Sequence, residues 1–181
     1  SSLRGRVPEM LALARRWVEQ NSYSENVAGA NVVAALLAEA FSLEGLSLVT
    51  EAGGPRFGDH LFWSTPAAAQ RAPIVLVGHH DTVFPPGHFE GWREEAGRAY
   101  GPGTFDMKGG LAIVWGVCRT LAEHGLLAEL PLVIASVSDE EVGSVSSRPH
   151  LEARARGAAC ALVFESGRPG DRIVTRRRGT G

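Results

Sequence analysis

Apolar residues recur along the chain at two spacings, and the alternation of these spacings predicts the fold. Apolar positions three or four residues apart predict helices. The predicted helices are Pro8–Gln20, Asn26–Phe41, Lys108–His124 and His150–Arg156. Short apolar runs bounded by turn residues predict strands. The predicted strands are Leu46–Glu51, His60–Ser64, Pro73–Gly78, Leu130–Ser138 and Ala159–Phe164.

The run at Pro73–Gly78 is continuously apolar and rich in β-branched residues. Such runs are typical of strands that are buried on both faces of a parallel sheet. Because the later strands alternate with helices, we predict an α/β fold with a mainly parallel sheet flanked by helices. A length of 181 residues is typical of one domain.

Composition excludes some classes of partner. The net charge of −2 gives no electrostatic footprint for nucleic acid or an anionic membrane. No apolar run is long enough to cross a bilayer, and no signal-peptide core follows the first residues, so we expect a cytoplasmic protein.

Cys118 and Cys160 each lie in an apolar stretch, and we interpret both as small buried hydrophobic residues.

Histidine and acidic residues follow the predicted strand Pro73–Gly78, where ligands of open α/β sheets gather. Side chains alternate along a strand, so His79 and Asp81 share a face while His80 points away. A metal-ligating His usually donates its other ring N–H to a carboxylate or carbonyl. We interpret His79 as a candidate metal ligand and Asp81 as the group that orients it, although an isolated His pair would more simply be part of a polar loop.

Three successive acids, Asp139, Glu140 and Glu141, follow the next apolar strand, and Glu165 follows the last one. Like charges at short range raise one another's pKa, and a bound cation removes that conflict. One carboxylate can then bind metal while its neighbour acts as general base. Taken alone, the three acids would favour a solvated loop.

A glycine-rich turn, Tyr100–Gly103, leads to Asp106 at the start of a predicted helix. A helix N-cap is an alternative role for Asp106. Lys108 precedes two glycines, but the G-x-x-x-x-G-K-[ST] order of a phosphate loop is absent, so we discount nucleotide binding.

Together these segments resemble the co-catalytic zinc metallopeptidases, a family that includes glutamate carboxypeptidases, aminoacylases, acetylornithine deacetylases and succinyl-diaminopimelate desuccinylases. The matching segments occur in family order over nearly the whole chain. They are Gly78–Phe84, Tyr100–Gly103 with Asp106–Gly110, Ser138–Ser144 and Phe164–Glu165. The stretches Val83–Gly87 and Gly97–Gly103 are most similar to the glutamate carboxypeptidase-like branch.

The resemblance implies two Zn²⁺ ions, for which Co²⁺ or Mn²⁺ can substitute. It implies that His79 and Glu165 ligate one zinc, that Glu141 ligates the other, and that Asp106 bridges both. It also implies a cis peptide bond between Asp106 and Met107. By the same resemblance Glu140 is the general base that takes the proton of the bridging water, and Asp81 orients His79.

The implied reaction is cleavage of an amide or peptide bond in a small peptide or N-acyl amino acid. Family members run to about twice this length. Residues 1–181 would therefore be the N-terminal part of a zinc-exopeptidase-like catalytic domain. A lid domain, through which the full-length protein would form a homodimer, and the C-terminal end of the catalytic domain would be absent.

The absent part would also carry a last His ligand, which neither His88 nor His150 matches, so we expect this chain alone to be inactive. The alternative is a non-catalytic fragment that binds metal or a partner chain. The run Arg176–Arg178 could meet a substrate carboxylate, but a solvated edge is the simpler interpretation.

Overall fold

The computed structural model describes residues 3–170 and 172–175, and it contains one mixed sheet with helices on both faces. The strands are β1 Ser47–Glu51, β2 His60–Ser64, β3 Ile74–His79, β4 Arg93–Glu95, β5 Arg98–Tyr100, β6 Leu132–Val137 and β7 Cys160–Val163. The helices are α1 Val7–Val18, α2 Val27–Ala40, α3 Gly109–Glu123 and α4 Arg148–Ala155. Short 3₁₀ turns lie at Leu3–Arg6, Pro66–Ala69, Leu127–Glu129 and Glu140–Val142.

The five-stranded sheet has the order β1-β2-β6-β3-β7. Strand β3 pairs in parallel with both β6 and β7, whereas β2 pairs antiparallel with β1 and β6. Four strands therefore run in one direction and β2 alone is reversed within this sheet, so the predicted α/β class is confirmed. Strands β4 and β5 form a separate, exposed hairpin that the sequence pattern did not predict.

The core forms because β6 presents alternate residues to the two faces of the sheet. Leu132 and Ile134 join the larger apolar cluster, which contains residues of α1, α2 and α3. Ala135 and Val137 lie on the opposite face with Phe62, and Leu151 of α4 packs against them. Helices thus cover both faces, as a sheet with buried central strands requires.

Strand β7 departs from this pattern because all four of its residues are exposed. It lies at the edge of the sheet and pairs with β3 on one side. Cys160 is consequently exposed, and the prediction that it is a buried hydrophobic residue is wrong. Cys118 in α3 is buried, as predicted, and burial raises the pKa of its thiol to about 12.

Among the helices of the described residues, none is both long enough and apolar enough to cross a membrane.

Candidate metal centre

The ends of three neighbouring parallel strands bring the predicted site residues together. Strand β3 ends at His79, β6 leads into Glu140 and Glu141, and β7 leads into Glu165. Because these strands are parallel and adjacent, their carboxyl ends share one edge of the sheet. We call Asp106, Glu140, Glu141 and Glu165 the carboxylate cluster.

His79 lies at the centre of this cluster. Its Nε2 atom is 3.0 Å from Asp106 Oδ1, 3.4 Å from Glu165 Oε1 and 3.8 Å from Glu140 Oε2. The other ring nitrogen, Nδ1, faces the carboxylate of Asp81 at 3.2 Å and the main-chain oxygen of the same residue at 3.1 Å. Nε2 therefore points to the carboxylate cluster, and contacts with Asp81 fix Nδ1 on the opposite side of the ring.

The carboxylates of the cluster are more exposed to solvent than the imidazole that they surround. The side chain of His79 is 1% exposed, whereas those of Asp106, Glu140 and Glu165 are 52%, 49% and 38% exposed. A ligand arriving from solvent thus meets the carboxylates first and the imidazole last.

The charge balance of the site favours a cation. Burial lowers the pKa of His79, but hydrogen bonds with Asp106, Asp81 and Glu165 outweigh it and raise the pKa to about 12. Within the described parts of the chain, no Lys or Arg forms an ion pair with these carboxylates. The carboxylates therefore stabilise positive charge at His79 Nε2, and a metal ion bound there would displace the proton.

The other carboxylates of the site differ in pKa. The hydrogen bond from His79 lowers the pKa of Asp106. Burial raises the pKa of Glu141 to about 7, and repulsion from Asp106, Asp81 and Glu140 adds to that effect. Burial also raises the pKa of Glu140, with repulsion from Glu165. Raised pKa values at the neighbouring carboxylates of Glu140 and Glu141 are a sign of crowded negative charge.

Asp106 reaches the cluster from the turn before α3. Gly103 has a left-handed φ of 78°, and a side chain there would lie 3.0 Å from both Thr82 and Lys108. The peptide bond between Asp106 and Met107 is cis, as the resemblance implies. Asp106 is not the N-cap of α3, because the cap position is Lys108 and the Asp106 carboxylate bonds to His79 instead.

Contacts at Lys108 and Gly110 place this turn next to the end of α1 and next to the segment that follows β7. The fully buried Lys108 donates from Nζ to the main-chain oxygens of Trp17 at 2.9 Å and Gln20 at 3.3 Å. Burial lowers the pKa of this amine to about 7, and main-chain oxygens at the end of α1 accept its N–H groups. At Gly110 a Cβ atom would lie 2.1 Å from the main-chain oxygen of Phe164, so only glycine allows α3 to approach the segment that carries Glu165.

Asp81 links the strand that carries His79 to the loop that carries the two glutamates. Its Oδ1 accepts from the main-chain N–H of Glu140, and its Oδ2 from that of Glu141, both at 3.2 Å. Burial acts to raise the pKa of Asp81, but the contact with His79 and the hydrogen bond from Ser24 outweigh that effect. The net pKa is lowered, which favours the ionised carboxylate.

Asp139, the first of the three successive acids, lies outside the cluster. Its Oδ2 accepts from the main-chain N–H of Ser146 at 2.6 Å and of Ser147 at 3.1 Å. These bonds close the loop that begins at Glu140, so Asp139 shapes the loop while its two neighbours reach the site.

Sequence reasoning missed several buried polar residues behind the site. His60 Nε2 lies 2.9 Å from Ser146 Oγ, and its Nδ1 accepts from the main-chain N–H of Ser138 at 3.2 Å. His60 is the first residue of the otherwise apolar strand β2, and a histidine at the start of such a strand could have indicated a buried polar contact. Ser24 lies 57 positions before its partner Asp81, and no local pattern marks it.

The remaining histidines lie elsewhere. His80 is buried facing Ser136, at 2.9 Å, and burial lowers its pKa to about 3. His150 is near Glu51, at 3.5 Å. The run Arg176–Arg178 lies outside the described residues.

The donor atoms fit a divalent metal. Two overlapping groups, His79–Glu140–Glu165 and His79–Asp106–Glu141, each place three ligand atoms within 4.8 Å of one another. A zinc ion bonds to nitrogen and carboxylate oxygen at about 2.0–2.2 Å, so its ligand atoms lie within about 4.4 Å of one another. Small side-chain movements would close either group around an ion, and mixed imidazole and carboxylate donors also suit cobalt and manganese.

Comparison with known proteins decides the family. Residues 75–176, more than half of the chain, match the profile of the peptidase family M20/M25/M40. The chain belongs to this family. That stretch contains every residue of the carboxylate cluster, together with His79 and Asp81.

Curated relatives of this M20/M25/M40 chain include a peptidase and a deacylase. Over 100 residues the chain is 35% identical to carboxypeptidase G2 of Pseudomonas sp. (strain RS-16). The aligned stretch covers 54% of this chain and 24% of that protein. Over 123 residues the chain is 32% identical to succinyl-diaminopimelate desuccinylase of Methylobacterium nodulans. This second aligned stretch covers 60% of this chain and 31% of the relative. The chain thus spans about a quarter to a third of these relatives.

A solved structure confirms the fold. Human carnosine dipeptidase 1 superposes with a TM-score of 0.72 at 16% identity, over 89% of this chain and 39% of that one.

Proposed function

We propose that this chain forms part of a metal-dependent hydrolase that cleaves an amide or peptide bond. One observation carries the proposal: Asp106, Glu140 and Glu165 converge within 3.8 Å of Nε2 of the buried His79, and no Lys or Arg of the described residues neutralises them. Family membership supports the same reaction class.

His79 and Glu165 are the proposed ligands of one Zn²⁺ ion, Glu141 is the proposed ligand of a second, and Asp106 is the proposed bridge. Two bound cations would lower the pKa of a water between them and polarise the scissile carbonyl. Glu140 also lies within ligand distance of His79 and Glu165, so metal binding by Glu140 is the competing assignment.

Glu140 is the proposed general base. Its carboxylate is about half exposed, and its main-chain N–H is fixed by Asp81, so the side chain can face a substrate while the backbone stays in place. Burial and neighbouring carboxylates raise its pKa, and a raised pKa makes a carboxylate a better proton acceptor. Glu140 accepts a proton from the attacking water and passes it to the leaving nitrogen.

The substrate is a small peptide or an N-acyl amino acid, as in a carboxypeptidase or a deacylase. The names of the two curated relatives cover both types, so they support the broader class. We further propose that residues 1–181 form the N-terminal part of a catalytic domain. In this proposal other residues supply a lid, a dimer contact and a last His ligand, and this chain alone is inactive. The cytoplasmic location stays a prediction.

The proposal is tested by measuring zinc binding and hydrolysis together. Metal-free protein is titrated with Zn²⁺ and assayed with C-terminal-glutamate dipeptides and N-acyl amino acids, both as this chain and as a polypeptide extended by the downstream coding sequence. We expect hydrolysis from the extended form, and we expect Glu140→Gln to lower turnover by about 10²–10⁴-fold while zinc still binds. Glu152→Gln, at an exposed position of α4, is the matched control.

Each outcome decides between the alternatives. Zinc binding without hydrolysis by either form supports the non-catalytic fragment. Unchanged turnover in Glu140→Gln removes Glu140 as the base, and failure to bind zinc contradicts the metal centre itself.

A further inference from the structure

The carboxylate of Asp81 contacts four groups from three segments of the chain. It faces His79 Nδ1 at 3.2 Å, accepts the main-chain N–H groups of Glu140 and Glu141 at 3.2 Å each, and accepts the hydroxyl of Ser24 at 2.6 Å. The Ser24 contact is the shortest of the four. O–H···O⁻ bonds at such distances are about twice as strong as neutral hydrogen bonds.

Ser24 is held in place by the main chain. Its own N–H donates to the main-chain oxygen of Thr82 at 3.1 Å, and the N–H of Thr82 donates to Ser22 at 2.9 Å. This bridge fixes the connection between α1 and α2 against the residues that follow β3. Ser24 and Asp81 are both fully buried, so water is a poor substitute for the hydroxyl.

We propose that Ser24 is a positioning residue of the metal centre, acting through Asp81 on His79 and on the backbone of Glu140 and Glu141. Without the hydroxyl, Oδ2 of Asp81 keeps one donor, the N–H of Glu141 at 3.2 Å, and the carboxylate loses its strongest constraint. Movement of the Asp81 carboxylate removes one of the two acceptors that face His79 Nδ1, the other being the main-chain oxygen of Asp81 at 3.1 Å. It also loosens the main-chain N–H groups of Glu140 and Glu141, and a less firmly oriented set of ligands binds metal more weakly.

The chain contains a matched control in Ser22. This residue is also fully buried, lies in the same connection and donates its hydroxyl at 2.6 Å, but its acceptor is the main-chain oxygen of His80. Ser22→Ala and Ser24→Ala thus each delete one buried hydrogen bond of 2.6 Å, and only the second deletes a contact to Asp81.

The experiment measures the dissociation constants of Zn²⁺ and Co²⁺ for the wild-type chain, Ser24→Ala and Ser22→Ala, with thermal unfolding of each metal-free protein. We expect Ser24→Ala to weaken metal binding by about 10-fold, the lower end of the range for groups that contact a ligating histidine directly, because Ser24 acts through Asp81. We expect Ser22→Ala to retain the wild-type affinity within about 3-fold, although it too lowers the melting temperature. The visible spectrum of bound Co²⁺ should change in Ser24→Ala alone, because it reports ligand geometry.

A second substitution covers the case in which Ser24→Ala does not fold. Ser24→Cys keeps nearly the same volume, and because a thiol is a weaker donor we expect an affinity between those of the wild type and Ser24→Ala. Wild-type affinity in a folded Ser24 variant, or equal losses in the Ser22 and Ser24 variants, would overturn the proposal.

This inference rests on the proposed metal centre, but the two can fail separately. A wild-type chain that binds no metal contradicts the proposed function. A wild-type chain that binds metal, with a Ser24→Ala variant that binds it equally well, contradicts the role of Ser24 alone.

Discussion

Replacing Glu141 with Gln should change the stability of the protein in opposite directions with and without metal. The pKa of Glu141 is raised from 4.5 to about 7 by burial and by repulsion from Asp106, Asp81 and Glu140. Between these two pH values the folded chain binds more protons than the unfolded chain, so the free energy of unfolding falls as the pH rises. Above about pH 7 the penalty is fully present, and a neutral amide removes it.

The size of this effect follows from the shift. A shift of about 2.5 units corresponds to about 3 kcal/mol at 1.36 kcal/mol per unit. Because Glu141 is partly exposed and solvent screens its neighbours, we expect about 1 kcal/mol in practice. In the metal-free protein at about pH 8, Glu141→Gln should raise the free energy of unfolding by this amount, and below about pH 4.5 it should have little effect.

The assay is urea unfolding of the metal-free wild type, Glu141→Gln and the exposed-site control Glu152→Gln at several pH values, repeated with saturating Zn²⁺. Zinc should stabilise the wild type and the control, and it should stabilise Glu141→Gln much less, because a proposed carboxylate ligand has been lost. Equal zinc stabilisation of Glu141→Gln and wild type would refute the reasoning, as would lower stability of the metal-free variant at about pH 8.

Three further substitutions or reactions test the supporting structure. Lys108→Met should lower the free energy of unfolding by about 1–3 kcal/mol in urea, because the buried carbonyl of Trp17 and the partly buried carbonyl of Gln20 lose their donor. Gly110→Ala should weaken metal binding, measured by calorimetry, because the new methyl group meets main-chain atoms next to Glu165, whereas Gly116→Ala meets the flexible side chain of Met10. Iodoacetamide with mass spectrometry should find Cys160 modified and Cys118 unmodified in the native protein at neutral pH.

A specific result would contradict each of these three predictions. Wild-type stability in Lys108→Met would remove the amine as an anchor of the turn. Equal metal affinity in the two glycine variants would mean that the contact at Phe164 does not place Glu165. Modification of both cysteines in the folded protein would contradict the burial of Cys118.

The pattern of apolar residues was sufficient to place the central strands of the sheet. Strand β2 begins and ends where it was predicted, and β3, β6 and β7 differ from their predicted limits by one or two residues at each end. Because parallel neighbouring strands end at one edge of a sheet, the acids that follow them could be placed together from the sequence.

Other features could not be predicted, because they depend on contacts between distant parts of the chain. The reversed direction of β2 depends on its pairing with β6, some 70 residues away. The β4–β5 hairpin is polar and exposed, so it has no apolar alternation to detect. The exposure of Cys160 follows from the edge position of β7, and the contact of Ser24 with Asp81 follows from packing of the α1–α2 connection against β3.

Anomalous diffraction at the zinc absorption edge, on crystals of the chain grown with Zn²⁺, tests the metal centre most directly. We expect a peak about 2.0–2.1 Å from Nε2 of His79, with carboxylate oxygens of Glu165 and Asp106 also bound to it, and a second peak beside Glu141. Zinc bound only away from the carboxylate cluster, with His79 still hydrogen-bonded to Asp106, would contradict it.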